Sequence, residues 1–374
     1  MTLAGSGRLA HGRFSPDFGT TSADGSGRRR PPRVVFGTPA FRSGHTARDG
    51  GQVTTSASRR AVVVGAGITG LTCAIRLRDR GWSVHVLSDA PPEATTSHLA
   101  AAVWFPTRAG PRDRVLDWGR RTFDELAAQA GAGGPGVVMR ESMALYRDEP
   151  DRPWWSAAVE GLRRARDDEL PPGYRHGLRF AVPLVEMPAH LPWLAAELER
   201  RGGTHERRRV ESLSDAGRDA DLVVHCSGLG ARALARDTSV VPVRGRIVRV
   251  ANPGLTLSVR DEQHPDGRAY VHPRAEDCIL GGTLDEDEWD TRPDPAASAA
   301  ILRRCADLVP ALRDAEVLEH VTGLRPARPE VRLEAEPATA DRPPVIHDYG
   351  HGGSGITLCW GCAHDVADLA TEVM

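Results

Sequence analysis

The apolar pattern divides the chain near residue 61. Residues 1–60 are rich in Gly, Ser, Thr, Pro and Arg and carry no sustained apolar period. They read as a disordered tail, or as a translation start assigned too far upstream. From Ala61 the pattern becomes regular. An apolar run predicts a strand over 61–65, helical spacing follows over 68–80, and a second strand is expected at 83–87. Helical periodicity returns at 115–129, 154–168, 191–201 and 295–308, with a last helix from Ala363 to Val373. Strands of alternating or β-branched character are expected at 221–226, 243–250, 268–273, 277–283 and 315–321. Strands alternate with helices at both ends of the chain and crowd together in its middle.

The first strand runs into Gly65-Ala66-Gly67-Ile68-Thr69-Gly70, and Ser88-Asp89 closes the second. Each part has a physical task. Gly65 permits a tight strand-to-helix turn. Gly67 lets a pyrophosphate approach the backbone, and Gly70 lets the helix lie close against its strand. The helix start offers unpaired N–H groups to phosphate. Asp89 is placed to accept hydrogen bonds from a ribose diol. A second glycine cluster, Gly350-His-Gly-Gly-Ser-Gly355, precedes the final helix and offers a similar concave set of N–H groups.

Composition narrows the picture by exclusion. The net charge is −2 and 40% of residues are hydrophobic, so no basic surplus points to nucleic acid. No lysine occurs; all 48 basic residues are arginine. No apolar run reaches the roughly 20 residues a membrane span needs. The six cysteines are too few and scattered for a disulfide framework. Cys359 and Cys362 have redox-motif spacing, but with no second pair they read as small residues near a helix start, and no metal is expected. The chain ends Glu372-Val373-Met374, without a peroxisomal tripeptide, so the cytoplasm is the default expectation. A homodimer is compatible with the sequence, which leaves the oligomeric state open.

Four stretches together resemble the D-amino-acid oxidase family of flavoproteins, which includes D-aspartate oxidase. They are residues 62–70, Thr95 to Pro106, Gly323 to Pro329 and Val345 to Thr357, in that order. The resemblance covers about 61–374. It implies an α/β fold with a Rossmann-type FAD-binding lobe built from 61–107, 200–240 and 319–374. An inserted α+β substrate lobe with antiparallel sheet is then expected from 108–199 and 241–318. It further implies FAD held without a covalent bond, with Gly65 to Gly70, Ser88, Asp89, Val210, Ser227, Gly228 and Arg325 around it. Thr95, Thr96, Ala101 and Trp104 would approach the flavin, although on sequence grounds Trp104 reads as a core residue. Gly352, Gly353, Ser354, Gly355, Ile356 and Thr357 would line the ring edge.

The implied reaction is oxidative deamination of D-amino acids, with hydride passing from Cα to the flavin and dioxygen returning as hydrogen peroxide. Arg325 and Tyr270 would hold the substrate carboxylate, and the Gly353 carbonyl would orient the amine. An arginine fork suits a carboxylate, but the residues alone do not choose between Arg325 and Arg328. Both precede proline and sit in extended backbone. Animal members carry another tyrosine in a lid loop, which the stretch from Asp261 to Gly267 lacks. Val103, Phe105 and His272 would suit neutral side chains, whereas Arg260 or Arg268 would suit acidic ones. Alternatives are a glycine- or sarcosine-type amine oxidase of the same fold, a D-aspartate-preferring oxidase, or a pyridine-nucleotide dehydrogenase.

Overall fold

The computed structural model describes residues 58–106 and 109–374. Residues 1–57, which include most of the expected tail, lie outside the described residues. In chain order the elements begin with β1 (Arg60–Val64), α1 (Ile68–Asp79), β2 (Ser83–Ser88), α2 (Arg112–Gly131), β3 (Val137–Tyr146), β4 (Arg163–Arg164) and β5 (His176–Val185). There follow α3 (Met187–Arg200), β6 (Thr204–Arg207), α4 (Leu213–Ala216), β7 (Leu222–His225), α5 (Ala231–Leu234), β8 (Val241–Ala251), β9 (Ser258–Asp261) and β10 (Ala269–Pro273). The chain finishes with β11 (Asp277–Gly281), β12 (Asp285–Glu286), α6 (Pro295–Leu308), β13 (Val317–Glu336), β14 (Val345–His351) and α7 (Gly355–Glu372).

All the strands join one sheet, ordered β4-β5-β3-β9-β10-β11-β8-β13-β14-β7-β1-β2-β6, with β12 beside β8. From β14 to β6 every pairing is parallel. Parallel strands are buried on both faces and so read as continuous apolar runs, as Ala61-Val62-Val63-Val64 does. Ala61 and Val63 face α1, α3 and α7, while Val62 and Val64 face Leu213, Ala216 and Val210. On the other side the ladder from β8 to β9 is antiparallel. The twenty-residue β13 pairs antiparallel with β8 along its first half and with β14 along its second. Its length exceeds the expected 315–321 because both flanks are bonded, so nothing ends the strand at Gly323.

The region 154–168 is not a helix. Trp154–Ala158 forms a short 3₁₀ turn, and Gly161 adopts φ +71°. Trp155 buries edge-on against Phe105 and Phe180, at 5.1 and 5.2 Å between centroids. That packing outweighs helical spacing. Strands β3 and β5 form a long antiparallel pair that the pattern did not announce. The last helix starts eight residues earlier than Ala363, at Gly355. Cys359 and Cys362 are therefore inside it and fully buried, and burial pushes both thiols up. Among the described residues, no helix is long and apolar enough to cross a membrane.

Four buried histidines make this fold acid-sensitive, among them His272, which burial holds well below its ordinary value. Burial holds His190 and His347 down to about 4 and His225 down to about 3. An unfolded histidine titrates near 6.5, so between these values the unfolded chain binds protons the folded one refuses. Stability is therefore full above about 6.5 and is lost as pH falls toward about 4. The expected slope in that window is on the order of 1 kcal/mol per pH unit for each histidine. Urea unfolding at pH 7, 6, 5 and 4.5 checks this; a midpoint unchanged from 7 to 5 contradicts it.

Candidate active site

A cavity of about 1050 Å³ takes its walls from both parts of the sheet. At one end lie Gly65 to Thr69, Ser88, the exposed Asp89, Arg208 and Val210. Gly65 has φ +117°, and a Cβ there would stand 2.4 Å from the Cys226 carbonyl oxygen. A Cβ on Gly70 would stand 1.9 Å from the Gly65 carbonyl oxygen, so α1 can leave its strand this tightly only with hydrogen there. The Ser97 hydroxyl accepts the Ile68 N–H at 3.0 Å, fastening the 95–106 segment to the helix start. Arg208 Nε is buried and has no hydrogen-bond partner.

The other end is a sheet floor whose residues are set by register. Arg260 on β9 is opposite Tyr270 on β10, which is opposite Gly281 on β11. Gly281 is opposite Ile247 on β8, which is opposite Val321 on β13. Because side chains alternate faces, Gly245, Gly323 and Arg325 share that floor two and four residues along. A Cβ on Gly281 would fall 2.1 Å from Tyr270 Cζ, and one on Gly245 would fall 2.1 Å from Arg325 Nη1. The phenol and the guanidinium thus each lie flat on a glycine. Tyr270 also stacks on His272, with centroids 4.7 Å apart and planes inclined by 15°.

Electrostatics at this end favour an anion. Arg325 Nη1 donates to the Thr283 carbonyl at 3.3 Å, and no carboxylate pairs with Arg325 among the described residues. Burial pushes the Tyr270 phenol up, opposed by the nearby Arg325 charge, so its hydroxyl stays a proton donor. Arg260 is 5% exposed, its Cζ lies 3.8 Å from the Phe105 ring centroid, and its Nε has no hydrogen-bond partner. Burial pulls that guanidinium below its ordinary range, which Glu262 partly counters. Glu262 itself pairs with Arg268 at 2.8 Å on the cavity wall.

The 261–267 stretch, where a lid tyrosine is missing, is pinned. Buried Asp261 accepts from the Tyr174 hydroxyl at 2.6 Å and from Arg147 at 3.2 Å. Arg304 then donates to the carbonyls of Asp266 and Arg268 at 3.0 and 3.2 Å.

Most residues anticipated from sequence meet in this cavity. Gly65, Ala66, Gly67, Ile68, Thr69, Ser88, Asp89, Thr95, Thr96, Ala101 and Val210 line it, as do Ser227, Gly228, Tyr270, Arg325, Gly352, Gly353, Gly355 and Ile356. Four stand outside its lining. Gly70 packs against the Gly65 backbone. Trp104 turns its indole into the core, donating to the Gly119 carbonyl at 2.8 Å and packing edge-on to Phe123. Ser354 is buried at the start of α7. Thr357 bonds both the N–H and the carbonyl of Phe105 at 3.1 Å, tying α7 to the 95–106 segment. Sequence reading missed Ser97, Arg208, Gly245 and Gly281. Glycines inside strands were the available signal for the last two.

A glycine-turn nucleotide end joined to a cationic floor suits a dinucleotide bound beside an anionic substrate, and the family match makes this a dinucleotide-dependent oxidoreductase. The chain belongs to the FAD dependent oxidoreductase family, whose model matches residues 60–369. It is 56% identical over 312 residues to a D-amino-acid oxidase of Rubrobacter xylanophilus, covering 83% of this chain and 95% of that one. A D-amino-acid oxidase of Streptomyces coelicolor is 43% identical, over 83% of this chain and 96% of its own length. Human D-aspartate oxidase is 38% identical, over 84% and 95%. A crystal structure of glycine oxidase from Geobacillus kaustophilus superposes with a TM-score of 0.70 at 21% identity, covering 85% of this chain and 96% of that one, which establishes shared fold.

FAD is the cofactor, and the residues present fit it. The Gly65–Gly70 turn keeps backbone bare where a pyrophosphate comes close, and Asp89 offers an acceptor for a diol. The orphaned Arg208 Nε supplies a donor at the same end.

Proposed function

We propose that this chain prefers D-amino acids with an acidic side chain. The reaction is oxidative deamination: a D-amino acid, water and dioxygen give a 2-oxo acid, ammonia and hydrogen peroxide. FAD, when bound, would supply the electron acceptor for the hydrogen leaving Cα and the route of those electrons to dioxygen. The protein's share is orientation and charge. Arg325 and the Tyr270 hydroxyl hold the α-carboxylate, their positions fixed by Gly245 and Gly281 beneath them. The Gly353 carbonyl, on the cavity wall, accepts from the amine. With carboxylate and amine held, a Cα–H directed toward the bound flavin would be the third point of the fit, and the room left for the side chain would then separate the two enantiomers.

The side-chain preference rests on Arg260. A buried guanidinium with an orphaned Nε is costly unless something anionic completes it. Register puts it directly across from Tyr270, beside the carboxylate clamp. A substrate bearing a second carboxylate satisfies it, and an aliphatic one leaves it unpaired. The human relative named D-aspartate oxidase is consistent with this reading.

The experiment is peroxide release across D- and L-amino acids, with glycine and sarcosine included. D-aspartate and D-glutamate should lead. Arg260→Leu should lower kcat/KM for D-aspartate by about 30- to 100-fold, the worth of a charge-assisted hydrogen bond, while sparing D-leucine. A wild-type preference for D-leucine, unchanged in the variant, rejects the acidic preference. Turnover of glycine or sarcosine above every D-amino acid rejects the D-amino-acid reading.

A further inference from the structure

We infer that Ser227 meets the cofactor as a hydrogen-bond acceptor only, because two buried histidines hold its proton away from the cavity. The inference rests on FAD occupying the cavity. Ser227 lies just past β7, on the cavity wall. Its Oγ is 2.6 Å from Nε2 of His225, and Nδ1 of His225 is 3.1 Å from Nδ1 of His347. His347 Nε2 in turn faces Oε1 of Glu336 at 3.2 Å, an ion-pair distance without a well-aligned hydrogen bond. The histidines are register partners on β7 and β14, 0% and 1% exposed. Glu336 is the half-exposed end of this row and accepts from Arg332 at 2.8 Å and Arg342 at 2.5 Å.

The charge of Glu336 sets the direction of the protons along this row. A carboxylate held by two guanidinium groups is an acceptor, so the His347 nitrogen facing it carries the hydrogen. A neutral His347 then has a bare Nδ1. Two Nδ1 atoms 3.1 Å apart need one donor, which must be His225. His225 Nε2 is consequently bare and takes the Ser227 hydroxyl proton. The reverse order would turn a nitrogen lone pair toward the Glu336 carboxylate at 3.2 Å, which the charge there disfavours. A doubly charged pair would set two N–H groups head to head.

Ser227 therefore turns its lone pairs to the ligand. A phosphate oxygen, itself an acceptor, has no bond to make there, whereas a sugar-type hydroxyl does. FAD carries such hydroxyls on its ribityl chain and on its adenosine ribose.

Two measurements test this. Long-range proton–nitrogen NMR spectra of the holoenzyme with ¹⁵N-histidine read tautomers directly, with signals assigned by their loss in His225→Asn and His347→Asn. The hydrogen should be on Nδ1 of His225 and on Nε2 of His347; the opposite arrangement, or an imidazolium on either at pH 7.5, overturns the inference. Should those variants fail to fold, Ser227→Ala holoenzyme is diluted and flavin release followed by fluorescence, with ADP as competitor. The FAD dissociation constant should rise by about 5- to 10-fold, one neutral hydrogen bond's worth. Unchanged ADP competition assigns the ribityl hydroxyls, and an equal loss for ADP assigns the ribose. No change in either ligand overturns the contact. A wild-type chain that purifies without flavin would remove the FAD reading instead, leaving the tautomer result standing by itself.

Discussion

Arg325→Ala should purify yellow and folded, yet lose about two to three orders of magnitude in kcat/KM, chiefly through KM. Removing one partner of a charge-assisted, desolvated pair costs about 2–5 kcal/mol, and about 1.4 kcal/mol is tenfold. The cofactor should remain because the nucleotide end of the cavity does not depend on this side chain. Gly245→Ala makes a finer version of the same test. Its new methyl would meet Arg325 Nη1 at 2.1 Å, the far end of a side chain that can swing aside. The fold should survive while KM rises, since the fork would no longer lie at its present height above the sheet. Steady-state kinetics on the best D-substrate decide it; a KM unaltered in Arg325→Ala removes this residue from the clamp.

The other large effect is expected at Gly70→Ala. Here the obstacle is backbone: the added carbon would sit 1.9 Å from the Gly65 carbonyl oxygen. Helix α1 must then move off β1, opening a packed apolar layer that includes Leu71, Ala74 and Ile75. Such overpacking costs about 3 kcal/mol, and it also moves the helix start away from the phosphates. The variant should lose most of its bound flavin and several degrees of thermal stability. The ratio of flavin to protein absorbance, with a melting curve, measures both. A saturated, equally stable Gly70→Ala enzyme would falsify the close-packing account.

Where function depends on backbone shape, the sequence was readable. Gly65, Gly67 and Gly70 have no side chain to place, so their spacing after an apolar run already carried the geometry. The proline-flanked motif left Arg325 and Arg328 equal and only the family resemblance preferred Arg325; the glycine bed beneath Arg325 was not anticipated. Side-chain direction was less accessible. Trp104 and Thr357 belong to the right segments but turn toward the core, because the 95–106 segment is tied down by β5 and α7. Arg260 is one of 48 basic residues, and only strand register sets it opposite Tyr270. The helix expected at 154–168 failed because spacing cannot reveal that Trp155 has aromatic partners at Phe105 and Phe180. Strands β3 and β5 were invisible for the related reason that each is stabilised mainly by the other.

The doubly bonded β13 has a consequence for how new specificities can arise. Arg325 is seated on a rib that cannot slide without unzipping β8 on one flank and β14 on the other. On the proposed assignment of Arg325, the carboxylate anchor is accordingly a fixed origin, and side-chain reach is gauged outward from it. Drift toward longer or differently charged substrates is channelled to the short strands β9 and β10, at Arg260 and His272, where one exchange resets the far limit of the gauge and leaves its zero in place.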